Sequence, residues 1–365
     1  MEDKTYMQRA LDLAKQGTGF VNPNPMVGAV IVKDGVIIGE GYHEKYGGLH
    51  AERNALKDCK EKGNDPKGAT MYVTLEPCCH YGKTPPCTEA IIENGIEKVV
   101  IGTLDVNPLV AGKGAQILKD NGIRVEVGIL EKECKNLNRV FNKYMSTKLP
   151  YVVMKYAMTA DGKIATTSGQ SKWITGDEAR KNVHRLRNRL SGIMVGVSTV
   201  IIDDPMLDCR LEEPTVNPVR IICDSYLRTP LDSKIVQTAD SLKTILATSS
   251  TDEERVAEYE KKGCLVLRLP KTKQGIDLKV LMESLGNMGV DSVLIEGGGT
   301  LNYSALESKI VDEVHIHIAP KIFGGDSKSP VEGVGISDIT KAIKLNPINT
   351  VWAGEDLIIE NEVIY

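Results

Sequence analysis

The sequence has no long uncharged apolar run, no low-complexity tract and no large excess of charge of one sign. The first absence argues against a membrane-spanning helix, and the formal net charge of −4 provides no general attraction to nucleic acid or to a membrane surface. Residues 1–17 have the pattern of an amphipathic helix and lack the apolar core of a secretory signal peptide. We therefore expect a cytoplasmic protein without a nucleic-acid or membrane partner, whose eight cysteines are free or metal-bound.

The length of 365 residues is more than one ordinary core supports, and it predicts two domains. The first part alternates β-branched runs with helical patterns, which is typical of α/β layers, and Asp34-Gly35 predicts a tight hairpin turn. A polar helix is predicted over residues 131–148, directly before Leu149-Pro150. These features predict a first domain of residues 1–147 and a second domain of residues 148–365.

The first domain contains histidine, glutamate and cysteine residues of the kind that a hydrolytic zinc site needs. Such a site has three protein ligands, an open fourth position for water and a proton carrier nearby. His50 is followed two residues later by Glu52, and Cys78 and Cys87 add two thiols. Zinc deaminases share H-x-E followed by P-C-x-x-C, in which the glutamate moves protons and is not a ligand. Here eight residues separate the two cysteines, which departs from the simple cytidine-deaminase pattern.

The alternative is a closed structural zinc site made by Cys78, Cys79, Cys87 and His80. That site would leave the His50-Ala51-Glu52 segment without a role. Adjacent residues rarely both bind one tetrahedral ion without strain, so we leave Cys79 out of the ligand set. We predict zinc on His50, Cys78 and Cys87, with Glu52 as the catalytic proton carrier.

The second half has no G-x-G-x-x-G motif that follows a strand, and so no Rossmann fingerprint. Strands are predicted over residues 151–165 and 192–201. The best phosphate-binding candidate lies within residues 292–306, where a β-branched strand runs into three glycines and then a helix. Glycines let the backbone approach a phosphate, and a helix N-terminus offers N–H groups to it. A tight connection between strand and helix is an equal alternative.

Several motifs resemble one enzyme family. NPNPMVGAVIV, GYHEKYGGLHAE, TLEPCCHYGKTPPC and NPLVAGKG resemble the deaminase domain of the bifunctional riboflavin-biosynthesis deaminase/reductase, whose long Cys-to-Cys loop is its own variant. KYAMTADGKIATTSGQSKWIT, GVSTVIIDDPMLDCR, LIEGGGTL and HIAPKIFGG resemble its reductase domain, in the same order. Two positions depart from the family pattern, because Cys79 replaces a serine and Val106 a proline. Neither change removes a group that the chemistry needs.

The resemblance implies a fold, two reactions and two cofactors. The fold is a cytidine-deaminase-like α/β/α domain followed by an α/β domain similar to dihydrofolate reductase. The first domain would use Zn²⁺ to deaminate 2,5-diamino-6-(5-phosphoribosylamino)pyrimidin-4(3H)-one at C2. The second would use NADPH to reduce the ribosyl group of 5-amino-6-(5-phosphoribosylamino)uracil to ribityl. The family is commonly oligomeric, which implies a homodimer or homotetramer.

The resemblance also implies binding residues. Near the pyrimidine pocket it places Asn24, His43, His80 and Lys83, with Asn24 at the pyrimidine edge and Lys83 at the phosphate; a surface or turn role is the alternative for each. The implied NADPH contacts are Ala157, Trp173, Thr199, Asp203, Gly298, Gly299, Thr300, Leu301, Asn302, Tyr303 and Ser304. The implied contacts to the reductase substrate are Ser171, Arg187, Leu207, Arg210 and Glu296.

The reductase chemistry needs polar groups around the reacting ribose, and the implied ones are Lys155, Asp203 and Glu296. Lys155 and Asp203 are both candidates for the acid that assists ring opening. Arg187 and Arg210 suit phosphate, because a guanidinium offers planar bidentate donors. A solvated helix face is the alternative for Arg187, and a buried core position is the alternative for Trp173.

Two other function classes fit the sequence less well. A deaminase of tRNA or another nucleic acid, with an accessory domain, would need a basic face, whereas lysines in the N-terminal region alternate with acidic residues. A zinc-stabilised binding module without catalysis would use neither Glu52 nor the reductase motifs.

Overall fold

The computed structural model describes residues 2–82 and 85–365. The chain divides into two compact units, Met1–Lys148 and Leu149–Tyr365. Within the described ranges, no helix is both long and apolar enough to cross a bilayer.

The first unit is a five-stranded sheet between two helical layers. Its strand order is β2-β1-β3-β4-β5, with β1 antiparallel to β2 and β3, and β3, β4 and β5 parallel. In chain order, the elements are α1 (Glu2–Ala14), β1 (Gly28–Lys33), β2 (Val36–Tyr42), α2 (Ala51–Glu61), β3 (Thr70–Leu75), α3 (Cys87–Glu93), β4 (Lys98–Thr103), α4 (Lys113–Asp120), β5 (Arg124–Val127), α5 (Glu131–Leu137) and α6 (Arg139–Thr147).

Alternation along the strands builds one core on each face of this sheet. On one face, Ala29 and Ile31 of β1 pack with residues of α2, α3, α4 and α6, such as Ala55 and Ile91. On the other face, Val30 and Val32 pack with α1 and α5. The predicted amphipathic pattern of α1 is confirmed, because Met7, Ala10, Leu11 and Ala14 are all buried. The arrangement is the expected α/β/α sandwich.

The predicted helix over residues 131–148 is wrong in one respect, because it is two helices that meet at Asn138. The Asn138 side chain accepts a hydrogen bond from Met26 N at 2.9 Å and donates one to Met26 O at 2.9 Å. The side-chain amide of Asn138 therefore bonds to both backbone groups of Met26, as the backbone of a neighbouring strand would. A side chain that satisfies a remote backbone in this way ends α5 and redirects α6.

The second unit contains a nine-stranded sheet of order β10-β9-β8-β7-β13-β6-β14-β16-β15. Neighbouring strands from β10 to β14 are parallel, and β16 is antiparallel to both of its neighbours, β14 and β15. In chain order, the elements are β6 (Tyr151–Thr159), α7 (Asp177–Arg189), β7 (Gly192–Gly196), α8 (Val197–Asp203), β8 (Val219–Cys223), α9 (Lys234–Gln237), β9 (Thr244–Thr248), α10 (Glu253–Glu260), β10 (Leu265–Arg268), β11 (Lys271–Thr272), β12 (Gly275–Ile276), α11 (Leu278–Asn287), β13 (Ser292–Ile295), α12 (Gly299–Glu307), β14 (Glu313–Ala319), β15 (Lys344–Ala353) and β16 (Asp356–Ile364).

Two strand predictions in the second unit are wrong at their ends. The strand predicted over residues 151–165 ends at Thr159, and the strand predicted over residues 192–201 ends at Gly196, where α8 begins. The β-branched residues of α8 favour a strand locally. As a helix, however, α8 buries Val197 and Val200 one turn apart, while Ile202 is 71% exposed. Tertiary packing therefore overrides local propensity.

Glycines in β2 let α2 lie directly against the sheet. A Cβ atom on Gly41 would be 2.3 Å from Ala55 N and 2.7 Å from Ala51 O, and a Cβ atom on Gly39 would be 2.5 Å from Ala55 O. These contacts are to helix backbone, which cannot move aside alone. Because Gly39 and Gly41 have no side chains, the backbone of α2 can lie in contact with β2, and this contact sets the distance between helix and strand.

The substitution Gly41→Ala should push α2 away from β2. We expect it to lower the free energy of unfolding of the first unit by about 2 kcal/mol or more, since overpacking against backbone is costly. Chemical denaturation followed by circular dichroism measures this change. Val36→Ala, at an exposed position of the same strand, is the matched control and should leave stability unchanged. Wild-type stability of Gly41→Ala would contradict the packing described for α2.

Candidate functional site

The first unit contains a cavity of about 290 Å³ at the carboxyl ends of β3 and β4. Carboxyl ends of adjacent parallel strands are the usual place for ligands in open α/β sheets. Predicted site residues that line the cavity are Asn24, His43, His50, Glu52, Cys78 and His80. Lys83 lies outside the described residues.

Three donor atoms from three different elements meet beside this cavity, whose lining includes His50 and Cys78 but not the fully buried Cys87. His50 directly precedes α2, Cys78 lies in the loop after β3, and Cys87 is the first residue of α3. His50 Nδ1 is 3.4 Å from Cys78 Sγ and 3.4 Å from Cys87 Sγ, and the three donor atoms lie within 4.8 Å of one another. Zinc bond lengths of about 2.3 Å to sulfur and about 2.1 Å to nitrogen place tetrahedral donors about 3.5 to 4 Å apart. The donor set therefore fits a zinc ion.

The two cysteine thiols have opposite pKa shifts. Hydrogen bonds from Cys87 and His50 lower the pKa of Cys78 to about 4. The hydrogen bond to Cys78, followed by burial, raises the pKa of Cys87. A divalent cation between the donors would favour ionisation of both sulfurs, because zinc binds thiolates.

Glu52 lies in the first turn of α2, is 3% exposed and lines the cavity. Burial, followed by the charge of Cys78, raises the pKa of Glu52 to about 7. A carboxyl group that exchanges its proton near neutral pH is well suited to general acid–base catalysis.

Cys79 and His80 differ from the clustered donors. Cys79 Sγ lies 3.7 Å from the carbonyl oxygen of Leu109, and His80 is exposed at the edge of the cavity. In the part of the chain that the structure describes, the clustered metal donors are those of His50, Cys78 and Cys87. This geometry favours the open site over the closed structural site.

Asn24 and His43 form a small hydrogen-bonded network. His43 Nδ1 lies 2.9 Å from Leu49 O, which can only accept, so Nδ1 carries the proton. His43 Nε2 then accepts from Asn24 Nδ2 at 3.1 Å. Burial lowers the pKa of His43, which keeps the ring neutral. Because a primary amide has two N–H groups, the network leaves Asn24 Oδ1 and the second N–H of Nδ2 available to a ligand.

Other cavity residues were not predicted from the sequence. They include Glu76, Asp105 and Asn107 and, from α6, the side chains of Phe141, Tyr144 and Met145. Burial raises the pKa of Asp105 to about 6. The segment Asp105-Val106-Asn107-Pro108 directly follows a predicted strand, and that position was the available signal. For the α6 residues the sequence contains no such signal, because the pattern of a polar helix does not show which of its faces lines a cavity.

In the second unit, Arg187, Glu296 and Lys155 form a largely enclosed charged cluster. Arg187 Nε is 2.6 Å from Glu296 Oε1, and Arg187 Nη2 is 2.9 Å from Glu296 Oε2. Burial opposes ionisation of Glu296, but Arg187 and then Lys155 lower its pKa below the ordinary value. Burial, partly offset by Glu296, lowers the pKa of Lys155.

The two arginines predicted to bind phosphate are in different environments. Arg187 is 12% exposed, and its Nη1 also donates to Asp208 O, so it does not belong to a solvated helix face. The side chain of Arg210 is 66% exposed, with Nε 3.3 Å from Asp208 Oδ1. Arg187 therefore orients Glu296, whereas Arg210 presents its guanidinium to solvent.

The glycine run begins α12, as predicted. Gly298 has φ +76° and caps the helix, and a Cβ atom on Gly297 would be 3.1 Å from Thr199 Oγ1. Asn302 Nδ2 donates to Pro330 O, while its buried Oδ1 has no partner among the described residues. A close backbone approach and a helix N-terminus fit the phosphates of a dinucleotide cofactor, and the amide oxygen of Asn302, which can only accept, fits an N–H or O–H donor.

The remaining predicted contacts are dispersed around this region of the fold. Asp203 is the last residue of α8, and its Oδ1 is 3.3 Å from Lys172 Nζ. Trp173 is 64% exposed and lies under the Arg180 guanidinium at 4.6 Å, so it is not a core residue. Among the other predicted contacts, Ala157 in β6, Ser171 and Tyr303 are half-buried, Leu207, Leu301 and Ser304 are buried, and Thr300 is exposed.

His317 is a buried group that sequence analysis missed. In the pairing of β14 with β6 it lies opposite Ala157, on the face that carries Lys155. Neither ring nitrogen has a partner among the described residues. Burial, followed by the charge of Lys155, lowers the pKa of His317 to about 2. The alternation in Glu-Val-His-Ile-His was the signal that could have placed it on this face.

Comparisons with known proteins match both units. The RibD C-terminal domain matches residues 150–359, and the cytidine and deoxycytidylate deaminase zinc-binding region matches residues 1–103. The chain is 54% identical over 365 residues to the riboflavin biosynthesis protein RibD of Actinobacillus pleuropneumoniae, covering 100% of this chain and 96% of that protein. It is 41% identical over 354 residues to RibD of Escherichia coli K12, covering 94% of each.

Solved structures agree with these matches. Acinetobacter baumannii RibD, form 1, has a TM-score of 0.89 at 37% identity, covering 100% of this chain and 99% of that chain. A Thermotoga maritima protein described as a diaminohydroxyphosphoribosylaminopyrimidine deaminase/5-amino-6-(5-phosphoribosylamino)uracil reductase has a TM-score of 0.89 at 40% identity, with the same coverage. The resemblance seen in the motifs is thereby confirmed, and the chain belongs to the RibD family of riboflavin biosynthesis proteins.

Proposed function

We propose that the chain catalyses two steps of riboflavin biosynthesis. Residues 1–147 would deaminate 2,5-diamino-6-(5-phosphoribosylamino)pyrimidin-4(3H)-one at C2. Residues 148–365 would then reduce the ribosyl group of 5-amino-6-(5-phosphoribosylamino)uracil to ribityl with NADPH. The observation that carries the proposal is the convergence of His50, Cys78 and Cys87 within 4.8 Å at a cavity that also contains the buried Glu52.

Deamination depends on a bound metal and on one proton carrier. His50, Cys78 and Cys87 would hold zinc, which when bound is a Lewis acid that activates water for attack. Glu52 accepts a proton from the attacking water at its carboxylate and delivers it to the departing amine. Such a positioned acid–base group contributes about 10²- to 10⁴-fold in rate.

The chain's polar side chains orient the pyrimidine ribotide. Asn24 contacts the pyrimidine edge through its Oδ1 and its second amide N–H, since the other N–H donates to His43. We assign His80, at the exposed edge of the cavity, and Lys83 to the phosphoribosyl end. A cationic amine there offers a point charge to the phosphate.

In the second unit, the first turn of α12 and residues Thr199, Asp203 and Asn302 would bind NADPH, which supplies hydride to the ribose C1′. Ala157 and Trp173 would contact the cofactor near its reactive end. Lys155 is our candidate for the acid that protonates the ribose oxygen, because it lies with Glu296 in one largely enclosed charged cluster. Asp203, which pairs with Lys172, would then serve the cofactor.

The reductase substrate would be held by Arg210, Glu296, Ser171 and Leu207. Arg210 binds its phosphate with an exposed guanidinium, and Glu296, fixed by Arg187, contacts the ribose hydroxyl groups. Ser171 and Leu207 would complete the substrate contacts.

We also propose a cytoplasmic location and a homodimeric or homotetrameric assembly. All eight cysteines lie in the described residues and are free, which suits a reducing compartment that preserves thiolate ligands. The edge strand β15 exposes Leu345, Ile348 and Trp352, and exposed edges with apolar side chains favour association.

Zinc should be present at about one ion per chain and should depend on Cys87. We expect Cys87→Ser to lose both zinc and ammonia release while retaining NADPH oxidation on the deaminated substrate. Metal analysis and product assays check this. Cys79→Ser is the matched control and should keep its zinc. Equal loss of zinc in the two variants would contradict the ligand set.

Glu52→Gln should retain zinc and lower the rate of ammonia release by about 10²- to 10⁴-fold, because Gln cannot carry the proton. Reduction of the deaminated substrate should be unchanged. The control is Glu61→Gln, which changes an exposed carboxylate at the other end of α2. If both activities fell together in a folded protein, the assignment of two separate sites would be wrong.

Arg210→Ala should raise the KM of the reductase substrate about tenfold or more, since a charged hydrogen-bond partner of the phosphate is lost. The KM of the deaminase substrate should not change. Arg268→Ala, which removes an exposed arginine paired with Glu253, is the control. Similar changes in the two KM values would rule out the assigned role of Arg210.

A further inference from the structure

Glu76 is a buried carboxylate to which the proposed chemistry gives no role. It follows β3, precedes the ligand Cys78 by two residues and is 3% exposed. Its backbone N–H donates to the carbonyl oxygen of Thr103, the last residue of β4, at 3.0 Å, which continues the pairing of β3 with β4 one residue beyond the end of β3. A buried charge is costly unless it is hydrogen-bonded, so its partners are informative.

Both carboxylate oxygens of Glu76 accept backbone N–H groups. Oε2 accepts from Asp105 N at 3.1 Å and from Gly112 N at 2.8 Å. Oε1 accepts from Ala115 N at 3.0 Å. We call residues 104–112 the β4–α4 loop. One carboxylate thus joins the beginning of this loop, its end and the first turn of α4.

The loop held by Glu76 is a wall of the deaminase cavity, to which it contributes Asp105, Asn107 and Val110. Asp105 Oδ1 accepts from Asn107 N at 2.8 Å, and Asn107 Oδ1 accepts from Leu109 N at 3.1 Å. These local bonds set the shape of the loop but do not attach it to the sheet. Glu76 supplies a charged attachment to the strand end that leads to the zinc ligands.

The start of α4 is shaped to receive this carboxylate. Gly112, at the N-cap, has φ +80° and no side-chain cap of its own. A Cβ atom on Gly114 would be 2.2 Å from Pro77 O and 3.3 Å from Glu76 Oε1. Close backbone contact therefore brings α4 to Glu76, and a carboxylate at a helix N-terminus is favoured by the helix dipole.

We propose that Glu76 is a positioning residue of the deaminase site, which fixes the β4–α4 loop at a set distance from the zinc donors. The inference rests on the proposed deamination. Glu76 would act by holding backbone amides of the loop and of α4, and not by contact with the reacting atoms. The end of β3 thereby positions both the metal ligand Cys78 and the β4–α4 loop that lines the cavity.

The test compares Glu76→Gln, Glu76→Asp and the control Glu97→Gln. Gln keeps the size of the side chain but loses one accepting oxygen. We expect the KM for the diaminopyrimidinone ribotide to rise about tenfold in Glu76→Gln, with a smaller change in kcat, because hydrogen bonds to a charged group are lost. Zinc content and reductase activity should be unchanged, and hydrogen exchange over residues 104–115 should become faster.

The other variants separate positioning from folding. Glu76→Asp keeps both oxygens and should give an intermediate KM and intermediate exchange. Glu97→Gln changes an exposed carboxylate, paired with Arg124 at the opposite end of β4, and should match the wild type in both measurements.

Wild-type KM and wild-type exchange in Glu76→Gln would overturn the proposal. If Glu76→Gln loses zinc and unfolds, Glu76→Asp decides: faster loop exchange with an unchanged KM would overturn the proposal, and faster exchange with a raised KM would support it. Absence of ammonia release by the wild type would instead defeat the proposed deamination, whatever the exchange data show.

Discussion

The deaminase site depends on one constraint, which is that donors from three separate elements must meet within a few ångströms. His50 is placed by the start of α2, Cys78 by the end of β3 and Cys87 by the start of α3. The position of α2 is set by backbone contact with the glycines of β2. A tetrahedral ion tolerates little variation in donor spacing. The packing of the sheet against its helices therefore also determines the spacing of the metal donors.

The two units use buried charge differently. In the first, Glu52 is buried without a cationic side chain paired to it in the described hydrogen bonds, and burial raises its pKa toward neutrality. In the second, the Glu296 side chain is 11% exposed, and Arg187 lowers its pKa and holds it ionised. The first environment suits a carboxyl group that must gain and lose a proton. The second suits a carboxylate that must stay charged and keep one orientation.

Local features of the sequence predicted much of the fold and of the metal site. The Asp34-Gly35 turn and the buried face of α1 each depend on residues close together in the chain, and the metal donors were found from the residue types of two short motifs, around His50 and between Cys78 and Cys87. The failures involve distant partners. Asn138 ends a helix because it bonds to Met26, 112 residues away. The strand propensity of α8 gives way to burial of Val197 and Val200, and the place of Asp105 in the cavity follows from a bond to Glu76. No local pattern contains these contacts.

The second unit weighs against a nucleic-acid deaminase with an accessory domain. Burial of Arg187, Glu296 and Lys155 together costs free energy that a hydrophobic core of the same volume would not, and His317 adds a ring without described partners. A domain that only assisted binding would gain nothing from this arrangement. A domain that must protonate a sugar oxygen and orient its hydroxyl groups requires it. The cost is therefore best understood as the requirement of a second catalytic site, in which substrate groups would complete the hydrogen bonding.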